Sequence, residues 1–143
     1  MENKDNEVFL TTRKLLRIGR LLLNVRGGHL KPLGITAGQS ETMMFFDKND
    51  GATVSALKTH LAISHQAARN LVERLKQRGY LTATVSAEDG RERPVHLTAE
   101  GRELCAVLKK NGTAAGGELL LCLSREELHT LYELLDKVET SLG

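Results

Sequence analysis

Between Thr53 and Gly101 the apolar residues first recur with helical spacing, twice, and then alternate, twice, and this change of period constrains the fold more than any other feature. Thr53 is placed to cap a short helix that turns Val54, Leu57 and Leu61 inward. Ile63 and Ser64 then form a tight connection to a second helix, capped by Ser64, with Ala68, Leu71, Val72 and Leu75 as its buried stripe and Gly79 marking its end. Leu81, Ala83 and Val85 alternate with polar residues, as do Val95 and Leu97, which predicts two strands joined through Glu88, Asp89, Gly90 and Arg91. Helix, turn, helix and hairpin in that order is the plan of a winged helix-turn-helix.

The rest of the chain reads as helix. Val8 to about Arg26 carries Leu15, Ile18, Leu22 and Val25 at helical spacing, with further leucines that widen the stripe, so this helix needs cover on several sides. Gly27, Gly28 and Pro32 are expected to loosen or end it. Thr36 and Gln39 form a capping box for a helix through Phe46, followed by a turn at Asp47 to Gly51. Thr98 opens another helix carrying Leu104, Cys105 and Leu108, and Gly112, Gly116 and Gly117 are expected to break it. A loop between two helices is the preferred reading of that break, and a hinge is the alternative. Ser124 and Glu127 form a second capping box, after which Leu128, Leu131, Leu135, Val138 and Leu142 make a seam that calls for a partner helix.

A chain of 143 residues with 41% hydrophobic and 27% charged residues fits one domain, and two prolines with few aromatics favour a mainly α fold with a small β-hairpin. The polar first residues and the lack of a long apolar run point to a cytoplasmic protein without a membrane segment. Cys105 and Cys122 lack CxxC spacing and are expected to be two buried thiols, with a redox-sensing pair as the alternative. The five histidines show no ligand spacing, so neither a metal nor another cofactor is expected. Phosphate loops, nucleophile elbows and paired catalytic carboxylates are missing from the sequence, so an enzyme is not expected.

Charge is unevenly spread. Six basic residues and no acidic one lie between Thr11 and Lys31, whereas Ser124 to Gly143 holds five acidic and two basic residues. Intertwining of the two ends across a two-fold axis would cover both apolar helices, which predicts a homodimer. Residues 54–98 hold seven basic residues against four acidic, a balance that favours DNA over a module used only for protein contacts. Ser64, His65, Gln66, Arg69 and Asn70 stand at the start of the second helix of the pair, where side chains reach base edges and phosphates. On the hairpin tip, Arg91 and Arg93 suit the negative potential of a narrow minor groove, and Asp89 is placed to brace Arg91.

These residues resemble the MarR family of transcriptional regulators. The resemblance runs over about residues 35–142 and rests on Gly34 to Gln39, on Leu71 to Leu75 followed by Gly79-Tyr80-Leu81, on Asp89 with Arg91, on Val95 to Gly101, and on Leu123 to Leu128. It implies a dimeric repressor of a pseudo-palindromic operator that a small aromatic or phenolic ligand releases. It also implies a winged-helix lobe at 34–101 within a single 1–143 domain, whose dimerisation region comprises 5–31 and 102–143. Ser64 to Asn70 would begin the recognition helix, Arg91 would be the wing arginine and Asp89 its brace. Ala67-Ala68-Arg69 departs from the family's usual run, so Arg69 reads a guanine or holds a phosphate, and the operator sequence cannot be carried over. A ligand pocket between the dimer helices and the lobe would draw on Arg20, His29, Met43, Met44 and Phe46.

Overall fold

The computed structural model describes residues 2–84 and 93–143. Among them the chain forms helices α1 (Glu2–Leu30), α2 (Ala37–Lys48), α3 (Val54–Leu61), α4 (His65–Gln77), α5 (Ala99–Leu119) and α6 (Arg125–Ser141). Strands β1 (Leu81–Ala83) and β2 (Val95–Leu97) pair antiparallel between α4 and α5. Leu81 faces Leu97 and Ala83 faces Val95. The winged helix-turn-helix is therefore present; Val85, Asp89 and Arg91 lie outside the described residues.

Five helices start where a hydroxyl can accept a backbone N–H. Thr36, Thr53, Ser64, Thr98 and Ser124 each accept from the residue three positions on, and Thr36 and Ser124 complete reciprocal boxes with Gln39 and Glu127. That bond satisfies one of the amide donors a helix leaves unpaired at its start. The backbone bond from Ser124 is the larger of two that hold the Glu127 carboxyl below its usual range.

The core joins all the central elements. Leu30 from α1, Met43 and Phe46 from α2, Leu57 from α3, Val72 and Leu75 from α4, Val95 from β2, and Leu104 and Leu108 from α5 lie in one buried cluster. The base of the hairpin is held from a third side, because Gly51 donates to the Val95 carbonyl and Val95 donates to the Ala52 carbonyl, both at 2.9 Å. His96 Nδ1 lies 3.1 Å from Asp50 Oδ1 across the same junction.

Four expectations are corrected. First, α1 runs through Gly27 and Gly28 and ends at Leu30, since Leu30 is buried and Arg26 is anchored on α2. Pro32 then opens a 3-10 turn, Lys31–Leu33, which Gly34 closes at φ +65. Second, α2 continues through Asp47 to Lys48, so the turn is shorter than expected. Third, α5 is unbroken through Gly112, Gly116 and Gly117 and offers neither a loop nor a hinge there. Packing offsets the roughly 1 kcal/mol that each glycine costs a helix: Ala115 is buried, and Gly112 makes room for Arg26. Fourth, Cys105 is buried but Cys122, in the turn after α5, is exposed.

The two ends of the chain leave apolar surface uncovered. On α1, Val8, Phe9, Leu15, Leu16, Ile18 and Leu23 are exposed, and α6 has no buried residue although Leu128, Leu135 and Val138 carry its seam. Apolar area of this extent is rarely left to solvent in a stable protein. No helix among the described residues is long and apolar enough to cross a membrane.

Candidate nucleic-acid interface

The tight turn between α3 and α4 aims one end of α4 outward. Ala62 adopts a left-handed conformation, φ +54, and its N–H returns to the carbonyls of Lys58 and Thr59, which terminates α3 within one residue. Ile63 follows, half-buried against the core, and Ser64 starts the next helix with its Oγ accepting from Ala67 N at 3.1 Å. A hydroxyl that accepts in this way still has a proton to donate.

Ala68, Val72 and Leu75 hold α4 against the lobe, which turns His65, Gln66, Arg69 and Asn70 to solvent. Gln66 Nε2 donates to Asn70 Oδ1 at 3.0 Å, so these two amides form one exposed unit with donors and acceptors at its edge. The helix N-terminus adds partial positive charge at the same end. Arg93 is exposed two residues before β2, on the hairpin arm. The structure thus gathers Ser64, His65, Gln66, Arg69 and Asn70 on one helix end, with Arg93 beyond it on the hairpin.

The residues considered for a ligand wall are scattered. Met43 and Phe46 are 0% exposed in the lobe core, so a ligand could reach them only by displacing that core. Met44 is partly buried against the same cluster, and Arg20 stands on α1 in a shallow groove with Arg13, Arg17 and Asn24. His29, half-buried near the end of α1, has a buried Nδ1 without a hydrogen-bond partner. One turn earlier, Arg26 donates to Ser40 Oγ at 2.8 Å.

Two arginines carry roles that sequence reasoning missed. Arg26 had been only one of six cations in a basic stretch, yet it joins α1 to α2 beside α5. Arg78 had been counted toward DNA, yet its guanidinium is committed to the carbonyls of Leu33 and Gly34. Neither partner set follows from helical periodicity.

Cys105 is a poor candidate for redox chemistry. Burial pushes its thiol up to about 11, with the Asp47 carboxylate adding to the shift and the Lys109 ammonium opposing it. Lys109 is itself raised, first by its hydrogen bond to Asp47, at 2.6 Å. A reactive cysteine needs the opposite environment. No cluster of potential metal ligands occurs among the described residues.

Comparison with known proteins agrees with the fold and places the chain among regulators. A model of the MarR family matches residues 33–92, from the turn after α1 into the hairpin. An HTH-type transcriptional repressor of Mycobacterium tuberculosis is 26% identical over 124 residues, covering 87% of this chain and 89% of that protein. A cysteine-to-serine mutant of MarR from E. coli, complexed with operator DNA, superposes with a TM-score of 0.77 at 27% identity over 93% of this chain and 96% of that one. A MarR family protein of M. tuberculosis in complex with salicylic acid gives a TM-score of 0.72 at 26% identity over 87% and 92%. The motifs of the lobe, the fold and these relatives agree, and over most of its length the chain is similar to transcriptional regulators of the MarR family.

Proposed function

We propose that this chain is a homodimeric repressor that binds a pseudo-palindromic DNA operator and is released by a small aromatic or phenolic acid. The observation that carries the DNA reading is the solvent-facing row His65, Gln66, Arg69 and Asn70 on a helix whose other face is locked into the core. Gln and Asn reach adenine edges, Arg reaches guanine or phosphate, and Ser64 with the helix N-terminus favours phosphate. Arg91 and Arg93 serve the minor groove from the wing, with Asp89 bracing Arg91. The lobe at 34–101 does the reading, and 5–31 with 102–143 forms the dimer base.

Dimerisation is supported by the uncovered apolar residues on α1 and α6 and by the opposite charge of the two ends. Two recognition helices related by a two-fold axis would lie about one DNA turn apart, roughly 34–36 Å. The ligand reading is supported by the salicylic acid complex of a relative and by the unpartnered Nδ1 of His29, beside Arg26, where α1 meets α2. Arg20 and Met44 belong to the same proposed wall; Met43 and Phe46 would enter it only through rearrangement.

Selection from a pool of random duplexes, followed by fluorescence anisotropy on the winning site, tests this function. The expected result is an inverted-repeat consensus bound by a dimer, with affinity falling when salicylic or another phenolic acid is added. A protein that enriches no sequence, or sediments as a monomer at micromolar concentration, would be something else.

A further inference from the structure

We infer that Arg78 is a positioning residue for DNA binding: it ties the end of α4 to the turn that leaves α1, and so fixes how far apart two recognition helices stand. The inference rests on the proposed function, in which α4 enters DNA and α1 belongs to the dimer base. Its own ground is the geometry of one side chain.

Arg78 is the C-cap of α4, with its N–H bonded to the Arg74 carbonyl at 3.1 Å. From there its guanidinium crosses to the segment after α1, donating from Nη1 to the Gly34 carbonyl at 2.7 Å and from Nη2 to the Leu33 carbonyl at 3.2 Å. Carbonyls at the end of a helical turn have no partner within it and favour a cation. The planar fork of an arginine can hold two of them at once, which the single ammonium of lysine does less well.

The other side of the guanidinium lies over the ring of Tyr80, 5.3 Å from its centroid. Tyr80 is itself fixed: its N–H donates to Leu75 and its carbonyl accepts from Thr98. Arg78 is thus held at its backbone, at its face and at both fork nitrogens. Elsewhere α4 packs on α2, α3 and β1, so this fork is a direct bond from α4 to the chain leaving α1.

A direct DNA role for Arg78 fits poorly. It stands beyond the last of 13 helical residues, so it is roughly 20 Å along the axis from Ser64 at 1.5 Å per residue. Two of its five N–H donors, one on each terminal nitrogen, are already held by carbonyls. The Gly34 conformation, φ +65, makes the turn that brings those carbonyls within reach.

The test uses full-length protein and a set of operators whose half-sites are spaced at the selected distance and one base pair closer or farther. Wild type is expected to prefer one spacing by roughly tenfold or more, because a fixed dimer fits one register. Arg78→Ala is expected to flatten that preference to about threefold or less while leaving the salt slope of binding unchanged. Arg78→Lys, which keeps the charge and one donor, is expected to fall between, and it keeps the test open if the alanine variant folds poorly. Arg74→Ala, which removes a neighbouring charge from the same helix end, should leave the preference intact.

An Arg78→Ala or Arg78→Lys protein with the wild-type spacing profile overturns the inference. So does a salt slope lowered by about one with spacing preference kept, which would make Arg78 a phosphate contact. Failure of wild type to bind any inverted repeat would instead overturn the functional reading, and the inference with it.

Discussion

The guanidinium of Arg26 occupies the space that a side chain at residue 112 would need: a Cβ on Gly112 would lie 2.6 Å from Arg26 Nη1. The glycine is a socket for an arginine that crosses from α1 to Ser40 on α2. One residue type that usually weakens a helix is here what lets three helices meet.

Gly112→Ala should therefore behave differently in two backgrounds. Alone it gains helix propensity of about 1 kcal/mol but pushes Arg26 from Ser40, a bond worth about the same, so little net change is expected. In an Arg26→Ala protein the same substitution should stabilise by about 1 kcal/mol. Urea unfolding of the four proteins reads the coupling, and equal gains in both backgrounds would remove the socket.

Gly101 has no such flexible neighbour. A methyl there would overlap the Tyr80 carbonyl oxygen and touch Met43, and the obstacle is backbone. Gly101→Ala should cost about 1–3 kcal/mol or more through forced separation of α5 from β1. A melting temperature within a degree or two of wild type would contradict the packing at that junction.

At the interface, Arg69→Ala should change the ranking of operator variants if its guanidinium reads a base, each lost base contact being worth about 1–3 kcal/mol. Arg93→Ala and Arg91→Ala should instead weaken all duplexes alike and lower the salt slope by about one each. Anisotropy titrations between low and moderate salt separate these outcomes. Uniform weakening by Arg69→Ala would assign that residue to phosphate.

The two cysteines should part company in alkaline solution. The Cys105 thiol is raised to about 11 in the folded chain from an ordinary value of 9.0, so the folded state keeps its proton where the unfolded state has lost it. Stability from this group is complete below about 9 and is lost as pH rises towards about 11. Cys105→Ala should remove that part of the alkaline decline. Exposed Cys122 should react with maleimide near neutral pH in the native protein, and Cys105 only after unfolding. Equal labelling rates would contradict the burial of Cys105.

Much of the fold was legible because it is written locally. Thr36, Thr53, Ser64, Thr98 and Ser124 announce helix starts through bonds spanning three residues, and the alternation at Leu81, Ala83, Val95 and Leu97 announces the strands. Glycines inside α1 and α5 misled because their cost is local whereas the packing that offsets it comes from far along the chain. For the same reason the role of Arg78 is not legible in the sequence: its partners lie 44 and 45 residues away. Met43 and Phe46 have the composition of a ligand wall or a core, and only their burial separates the two.

The continuity of α5 bears on modularity. Leu104, Cys105 and Leu108 complete the core of the winged helix, and the same rod runs on without interruption to Leu119. The DNA reader is thus not a cassette that ends with its hairpin. A transplant of this lobe into another regulator would need its seam placed beyond Ala115, the last buried residue of α5, with the far side of the junction supplied by the host.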